Sequence, residues 1–361
     1  MRVGVDGRSL RAGGQRGIAR YTRALVAALA AGFPEDRYVV LVPGGASRAV
    51  RELQGANVEL RETRIGGRPL FASAALSGRP RLDRMLGGCD VLWAPAVAPL
   101  AVSGDVPLVL TVHDLSWEHR AVDFSTYERA WHTVARPRRL ARRAKRVIAV
   151  SEAVRRELVA EWALAPERVV AVRSGPGIEA SGGGGGLPAG VQPPYLLAVG
   201  ALEPRKLPDV MLAAHERARA GGLEADLVFA GDGPMRGELA ERGATLLGYV
   251  PDEQLDALYR EALAVLCVSR EEGFAFTPVE ALVRGTPAIV ADLPVFAETL
   301  GDGALRVPPG DVEALAQALL RLERDAPLRA RLVEAGGAAA SSLSWENAAA
   351  RTRTVLAAAA G

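Results

Sequence analysis

The 361 residues read as an α/β chain of two doubly wound domains that face each other across a cleft. Three observations lead there. Short, near-continuous apolar runs alternate with segments of helical apolar spacing, the pattern of parallel strands covered on both faces. The alternation halts at five glycines, Gly182 to Gly186, and then restarts; such a run holds neither helix nor strand. The length is also that of two domains.

In the first half, Arg2–Val5 is the opening strand, and Ile18–Ala31 has the spacing of an amphipathic helix. Tyr38–Val42, Val58–Leu60, Val91–Trp93, Leu108–Val112 and Arg146–Val150 follow as strands. Ser151 is a cap for a helix over Glu152–Trp162, and Val169–Val172 closes the series. The glycine run, with Pro188, Pro193 and Pro194, is a connector. Beyond it, Tyr195–Val199 is a strand and a helix starts at about Leu207. Leu227–Phe229, Thr245–Leu247, Leu263–Val268, Ala288–Val290 and Leu305–Val307 are strands with helices between them, and Trp345–Ala359 is the last helix. The expected divisions are 1–178, a linker over 179–194, a second domain over 195–344, and a final helix over 345–361.

Composition narrows the class. Apolar residues make up 49% and charged residues 24%, as in ordinary soluble proteins. No apolar stretch is long enough to span a bilayer. Met1 to Asp6 reads as a strand entering a loop and not as a signal peptide, so a cytoplasmic protein is expected. Cys89 and Cys267 lie in apolar runs and read as reduced core residues. Four histidines and two cysteines without close spacing give no zinc pattern, so no metal site is expected.

Charge is uneven. Residues 1–180 hold 28 Lys and Arg against 18 Asp and Glu; residues 181–361 hold 16 against 24. Unlike halves suggest unlike partners. Arg136 to Arg146 holds seven cations in eleven residues. They do not keep to one helical face, so a solvated surface is the default reading. An acceptor-phosphate patch and peripheral contact at the inner face of the cell membrane stay open as alternatives. Only Lys145 and Lys206 are lysines; a Lys kept in so Arg-rich a chain hints at a need for a compact ammonium.

One stretch concentrates the chemistry: Arg270-Glu271-Glu272-Gly273-Phe274-Ala275-Phe276-Thr277-Pro278-Val279-Glu280-Ala281-Leu282. It follows an apolar strand. Thr277 reads as the cap of a helix with Pro278 at its first position. Gly273 to Phe276 is then a loop at the carboxyl end of a strand, where α/β sheets bind ligands. Glu272 in the loop and Glu280 in the first helical turn are acceptors for sugar hydroxyls, on either side of backbone donors suited to an anion.

The Glu-x7-Glu pattern from Glu272 to Glu280 resembles the signature of retaining glycosyltransferases of family GT4, among them bacterial mannosyltransferases. The resemblance implies the GT-B fold, two Rossmann-like domains, with the acceptor facing the first and the nucleotide sugar bound to the second. It implies that Glu272 contacts the transferred sugar, that Gly273, Phe274 and Ala275 line the donor, and that Glu280 holds the ribose. Ala275 departs from the glycine that the family often has there. Gly200-Ala-Leu-Glu-Pro-Arg205-Lys206 is similar to the family's second donor motif, which implies that Arg205 and Lys206 clamp the diphosphate. Gly248-Tyr249-Val250 stands where the family offers backbone to the nucleobase. In the first half, Gly13-Gly14-Gln15-Arg16-Gly17 resembles the loop that faces the donor phosphate. Thr111-Val112-His113-Asp114-Leu115 looks like the His-Asp-Leu of a mannosyltransferase-rich subset, which places His113 near the reacting sugar. Asp114 then either orients it or caps the chain. The final helix is expected to cross back to the first domain, again on the resemblance.

The function expected is therefore transfer of a hexosyl unit, with mannosyl favoured, from a nucleotide-diphosphate sugar (GDP-mannose or a UDP-sugar) to a hydroxyl acceptor. The acceptor is a glycan, a lipid-linked sugar or a small metabolite. No further cofactor is expected, and no nucleic acid. No Asp-x-Asp pair occurs in the chain, so the reaction is expected to need no metal. Two alternatives stand beside it: a GT-B nucleotide-sugar epimerase and a non-catalytic nucleotide-sugar-binding protein.

Overall fold

Two parallel sheets account for all the strands described. The computed structural model describes Met1 to Gly361 except residues 11–16, 65–66, 179–184 and 275. It divides into Met1–Gly175 with Leu343–Gly361, and Pro176–Ser342.

In the first unit the strands are β1 (Arg2–Asp6), β2 (Arg37–Val42), β3 (Val58–Glu62), β4 (Val91–Ala94), β5 (Leu108–Val112), β6 (Arg146–Ala149) and β7 (Val169–Ala171). They pair in the order β3-β2-β1-β4-β5-β6-β7, all parallel. Central strands such as β4 and β5 are buried along their whole length. That explains why they read as continuous apolar runs and not as alternating ones. The helix Trp345–Ala360 packs on this unit, against β4, β5, β6 and the helix Gly17–Gly32. Its N-cap is Ser344, whose Oγ accepts the Asn347 N–H at 3.2 Å. Arg353 fixes it further, donating to Asp36 at 2.8 Å and Glu35 at 3.0 Å.

In the second unit the strands are β8 (Tyr195–Val199), β9 (Asp226–Ala230), β10 (Thr245–Gly248), β11 (Ala264–Cys267), β12 (Ala288–Ala291) and β13 (Ala304–Val307). Their order is β10-β9-β8-β11-β12-β13, again parallel. Apolar clusters fill both faces. The described residues of the expected linker, 185–194, belong to this unit. Ile178 and Val191 are both buried in its core, and Gly185 lies so close to Glu253 that a methyl group on it would come 2.3 Å from that carbonyl oxygen.

The helix expected from about Leu207 begins at Pro208. After β8 the chain makes a 3-10 turn, Pro204–Lys206, before the helix Pro208–Ala220 begins. Leu207 between them is buried and has φ +55°. A left-handed leucine costs about 1–2 kcal/mol, and burial of its side chain offsets that cost. One helix start does differ from the sequence reading, at Thr277. The helix spans Phe276–Leu282, so Thr277 lies inside it and not at its cap. Its hydroxyl donates instead to the carbonyl of Val199, at 3.3 Å, supplying a partner to the end of β8.

Candidate active site

The strand order of the second unit reverses between β8 and β11, and the loops leaving their carboxyl ends diverge there. Such a reversal is the usual ligand crevice of an open α/β sheet. Two bonds bring the loops together: the Thr277 hydroxyl to Val199, and the Arg270 N–H to the Arg205 carbonyl at 2.9 Å.

Backbone geometry at the end of β8 demands glycine. Gly200 has φ +139° and Gly231, after β9, has φ +156°, conformations open mainly to glycine. A methyl group on Gly231 would come 1.8 Å from the Gly200 oxygen. Asp232 is a turn residue, its carboxylate accepting the Gly233 N–H at 2.9 Å.

Beyond Gly200, Lys206 donates through Nζ to Oε1 of Glu272. Ser269 donates its hydroxyl to the same oxygen at 2.7 Å. Burial pushes the Glu272 carboxyl up, but the charges of Lys206 and Arg205 and the bonds from Lys206 and Ser269 outweigh it. The group is held below the usual carboxylate range and is ionised at neutral pH. Arg205 pairs with Glu203 at 3.0 Å. Thus the loops bring together Arg205, Lys206 and Glu272. Cys267 was read as plain core, yet its Sγ lies 3.8 Å from Glu272 Oε1. Burial pushes its thiol up to about 12, so it stays a thiol and not a nucleophilic thiolate.

Glu280 lies about a turn into its helix and is only 3% exposed. Its Oε2 accepts the hydroxyl of Tyr259 at 2.5 Å. Gly177 lies beside Oε1, where a methyl group would approach to 2.3 Å. Arg284 donates to the Glu280 carbonyl at 2.9 Å and pairs with buried Asp256 at 2.6 Å. Gly273 and Phe274 are buried, and the Phe274 ring meets Phe276 edge-on at 5.4 Å. Ala275 lies outside the described residues. Gly248 ends β10 with φ +68°; Tyr249 after it is 62% exposed, while Val250 joins the core.

In the first unit, His113 follows β5. Its Nε2 is 2.8 Å from the Pro95 carbonyl. A carbonyl only accepts, so Nε2 carries the proton and Nδ1 is the acceptor nitrogen of the neutral ring. Burial lowers the His113 pKa. Tyr21 packs edge-on against the ring at 4.8 Å. Asp114 takes the capping option, accepting the N–H and hydroxyl of Ser116 at 3.1 and 2.6 Å. Gly17 is the first residue of its helix; Gly14 lies outside the described residues. Among the described residues, no three His, Cys, Asp or Glu side chains converge as a metal site would require. No helix among them is long and apolar enough to cross a membrane.

Sequence reasoning missed Ser269, Tyr259, Gly177 and the Arg284–Asp256 pair. Ser269 had a local signal, three residues before Glu272 on the same loop, and so did Arg284, four residues after Glu280, whose carbonyl it bonds. Tyr259 and Gly177 meet Glu280 only through packing.

Two family models match the chain, Glycosyltransferase Family 4 over residues 15–176 and Glycosyl transferases group 1 over residues 187–338. The chain is similar to O-antigen chain mannosyltransferase B of Escherichia coli, at 32% identity over 44% of each chain. It is also similar to the MMP alpha-(1->4)-mannosyltransferase of Mycolicibacterium hassiacum, at 29% identity over 69% of this chain and 64% of that one. The aligned stretches thus cover less than two thirds of these relatives' lengths. Among solved structures, Anabaena HepE in complex with UDP and glucose superposes with a TM-score of 0.73 at 20% identity, over 99% of both chains. A sucrose-phosphate synthase from Thermosynechococcus elongatus gives 0.72 at 19% identity, over 99% and 100%. The fold is GT-B. With a group 1 model on one half, a family 4 model on the other and mannosyltransferases among its relatives, the chain belongs to the GT4-type glycosyltransferases.

Proposed function

We propose that this chain transfers a hexosyl unit, mannosyl in the favoured case, from a nucleotide-diphosphate sugar to a hydroxyl acceptor with retention of configuration. The observation that carries the reading is the meeting of Arg205, Lys206 and Glu272 at the strand-order reversal of the second unit. The mannosyltransferases among its relatives favour mannose, and the UDP in the HepE structure favours a nucleotide donor.

In this reading Arg205 and Lys206 hold the diphosphate. As the bond from the sugar's anomeric carbon to phosphate oxygen breaks, the leaving group gains charge. Fixed cations therefore stabilise the transition state more than the ground state. Glu272, ionised, accepts from a hydroxyl of the transferred sugar, and Glu280 accepts from the ribose. Gly200, Tyr249, Val250, Gly273 and Phe274 line the donor. His113 is the first unit's candidate for contact with the reacting sugar, offering Nδ1 as an acceptor. The acceptor oxygen forms the new bond on the face that the diphosphate leaves, and its proton passes to a donor phosphate oxygen. No protein nucleophile takes part.

The test is incubation with GDP-mannose or UDP-glucose, with and without lipid-linked, glycan and polyol acceptors, in excess chelator. Acceptor-dependent release of nucleoside diphosphate and a product of unchanged anomeric configuration are expected. Epimerised donor without acceptor would make the chain an isomerase. Binding without release under any condition would make it a binding protein. Loss of transfer in chelator, restored by Mg²⁺, would overturn the assignment of the diphosphate to Arg205 and Lys206.

A further inference from the structure

A carboxylate that recognises a vicinal diol must present both oxygens in one plane at one angle. Its last torsion is a broad, two-fold rotor that the side chain itself does not fix. At Glu280 the surroundings fix it. Tyr259, on the helix Asp252–Glu261, is wholly buried and directs its hydroxyl to Oε2 at 2.5 Å. Gly177 presses its backbone toward Oε1, in space that any side chain would fill. The tyrosine is held in turn. The Arg284 guanidinium lies 5.3 Å from its ring centroid and is itself held by Asp256. The Thr286 hydroxyl donates to the Tyr259 carbonyl at 2.5 Å. Every part of this frame belongs to the second unit.

We infer that Tyr259 is a positioning residue that sets the plane of the Glu280 carboxylate and so gives the site its preference for ribose over deoxyribose. The inference rests on the reading of Glu280 as the ribose contact. A wholly buried phenol takes an acceptor, and here that acceptor is an oxygen of the Glu280 carboxylate itself. With the hydroxyl gone, Oε2 loses the contact that sets its place while Gly177 still bounds Oε1, and the cost in affinity falls only where both ribose hydroxyls are present.

The experiment compares nucleoside diphosphates with their 2′-deoxy forms. Affinities of GDP, UDP, dGDP and dUDP are measured by calorimetry for the wild type, Tyr259→Phe and Glu280→Gln. Tyr259→Phe is expected to cut the ribo-over-deoxy ratio by about tenfold, the worth of one charge-assisted hydrogen bond. It should raise KM for the donor with little change in kcat, because the ribose contact is the same in ground and transition states. A purely structural role would lower the melting temperature and the active fraction but leave the ratio alone. A lower ratio in both variants supports the inference. A lower ratio in Glu280→Gln alone keeps the ribose reading and overturns the role of Tyr259. An unchanged ratio in both overturns the ribose reading and the inference with it. Should Tyr259→Phe fail to fold, Gly177→Ala crowds the other oxygen and must lower the same ratio.

Discussion

Lys206 and Glu272 bear on each other's charge directly, through the ammonium's bond to Oε1, so substitutions at either act on both. Glu272→Gln removes the negative charge beside Lys206 and Arg205. Free nucleoside diphosphate should then bind no more weakly than to the wild type, while turnover falls by about tenfold or more through loss of the sugar contact. Glu280→Ala should instead weaken bare nucleoside diphosphate and intact donor alike, because both carry the ribose. Titrating both variants with nucleoside diphosphate and with donor checks this. Two solvated glutamates would give no effect from either, and the reverse pattern would mean that the two carboxylates exchange roles.

The loops that carry these residues are shaped by close backbone packing. Gly231→Ala would drive a methyl group into the Gly200 carbonyl at a backbone conformation that alanine avoids. The variant should lose about 2 kcal/mol of stability or more and bind nucleoside diphosphate less well, as read by denaturant melts and calorimetry. An alanine variant as stable as the wild type would mean that the loops after β8 and β9 do not pack this closely. How much of this was legible in the sequence depends on whether the cause was local. β4, β5, β8 and β11 were, because burial on both faces writes a continuous apolar run. The Gly200-to-Lys206 and Glu272-to-Glu280 stretches were, because their residue types and spacings lie within one loop. The start of the helix at Phe276 was not. Its Thr277 serves the carbonyl of Val199, 78 residues away, and Thr-Pro read alone looks like a cap. The burial of Glu280 was not legible either, for the same reason. Its partner Tyr259 comes from another helix, and nothing in Glu-x7-Glu says which oxygen is already engaged.

At the scale of the molecule, buried histidines and lowered carboxylates among the described residues make stability depend on pH. His113 and His132 both have pKa values lowered by burial, so the unfolded chain binds protons that the folded chain refuses. Their contribution is complete above the ordinary histidine value of about 6.5 and is lost as pH falls through the lowered folded values. Glu272, also lowered, adds a second loss beneath the ordinary carboxylate value of about 4.3. The melting temperature should therefore drop between pH 7 and pH 5 and drop again in stronger acid, with the first fall reduced in His132→Gln. A melting temperature flat from pH 7 to pH 5 would contradict the burial of these rings. Charge across the whole chain bears on binding as well. The half that carries the proposed donor site is net acidic, with 16 Lys and Arg against 24 Asp and Glu, so its field as a whole repels a nucleoside diphosphate. On the proposed reading the anion is held locally, by Arg205 and Lys206. Calorimetric titration of GDP and UDP into wild type and Lys206→Gln tests this most directly. At least one of the two should bind the wild type and bind Lys206→Gln about tenfold more weakly or worse, and an affinity unchanged by the substitution would contradict the assignment.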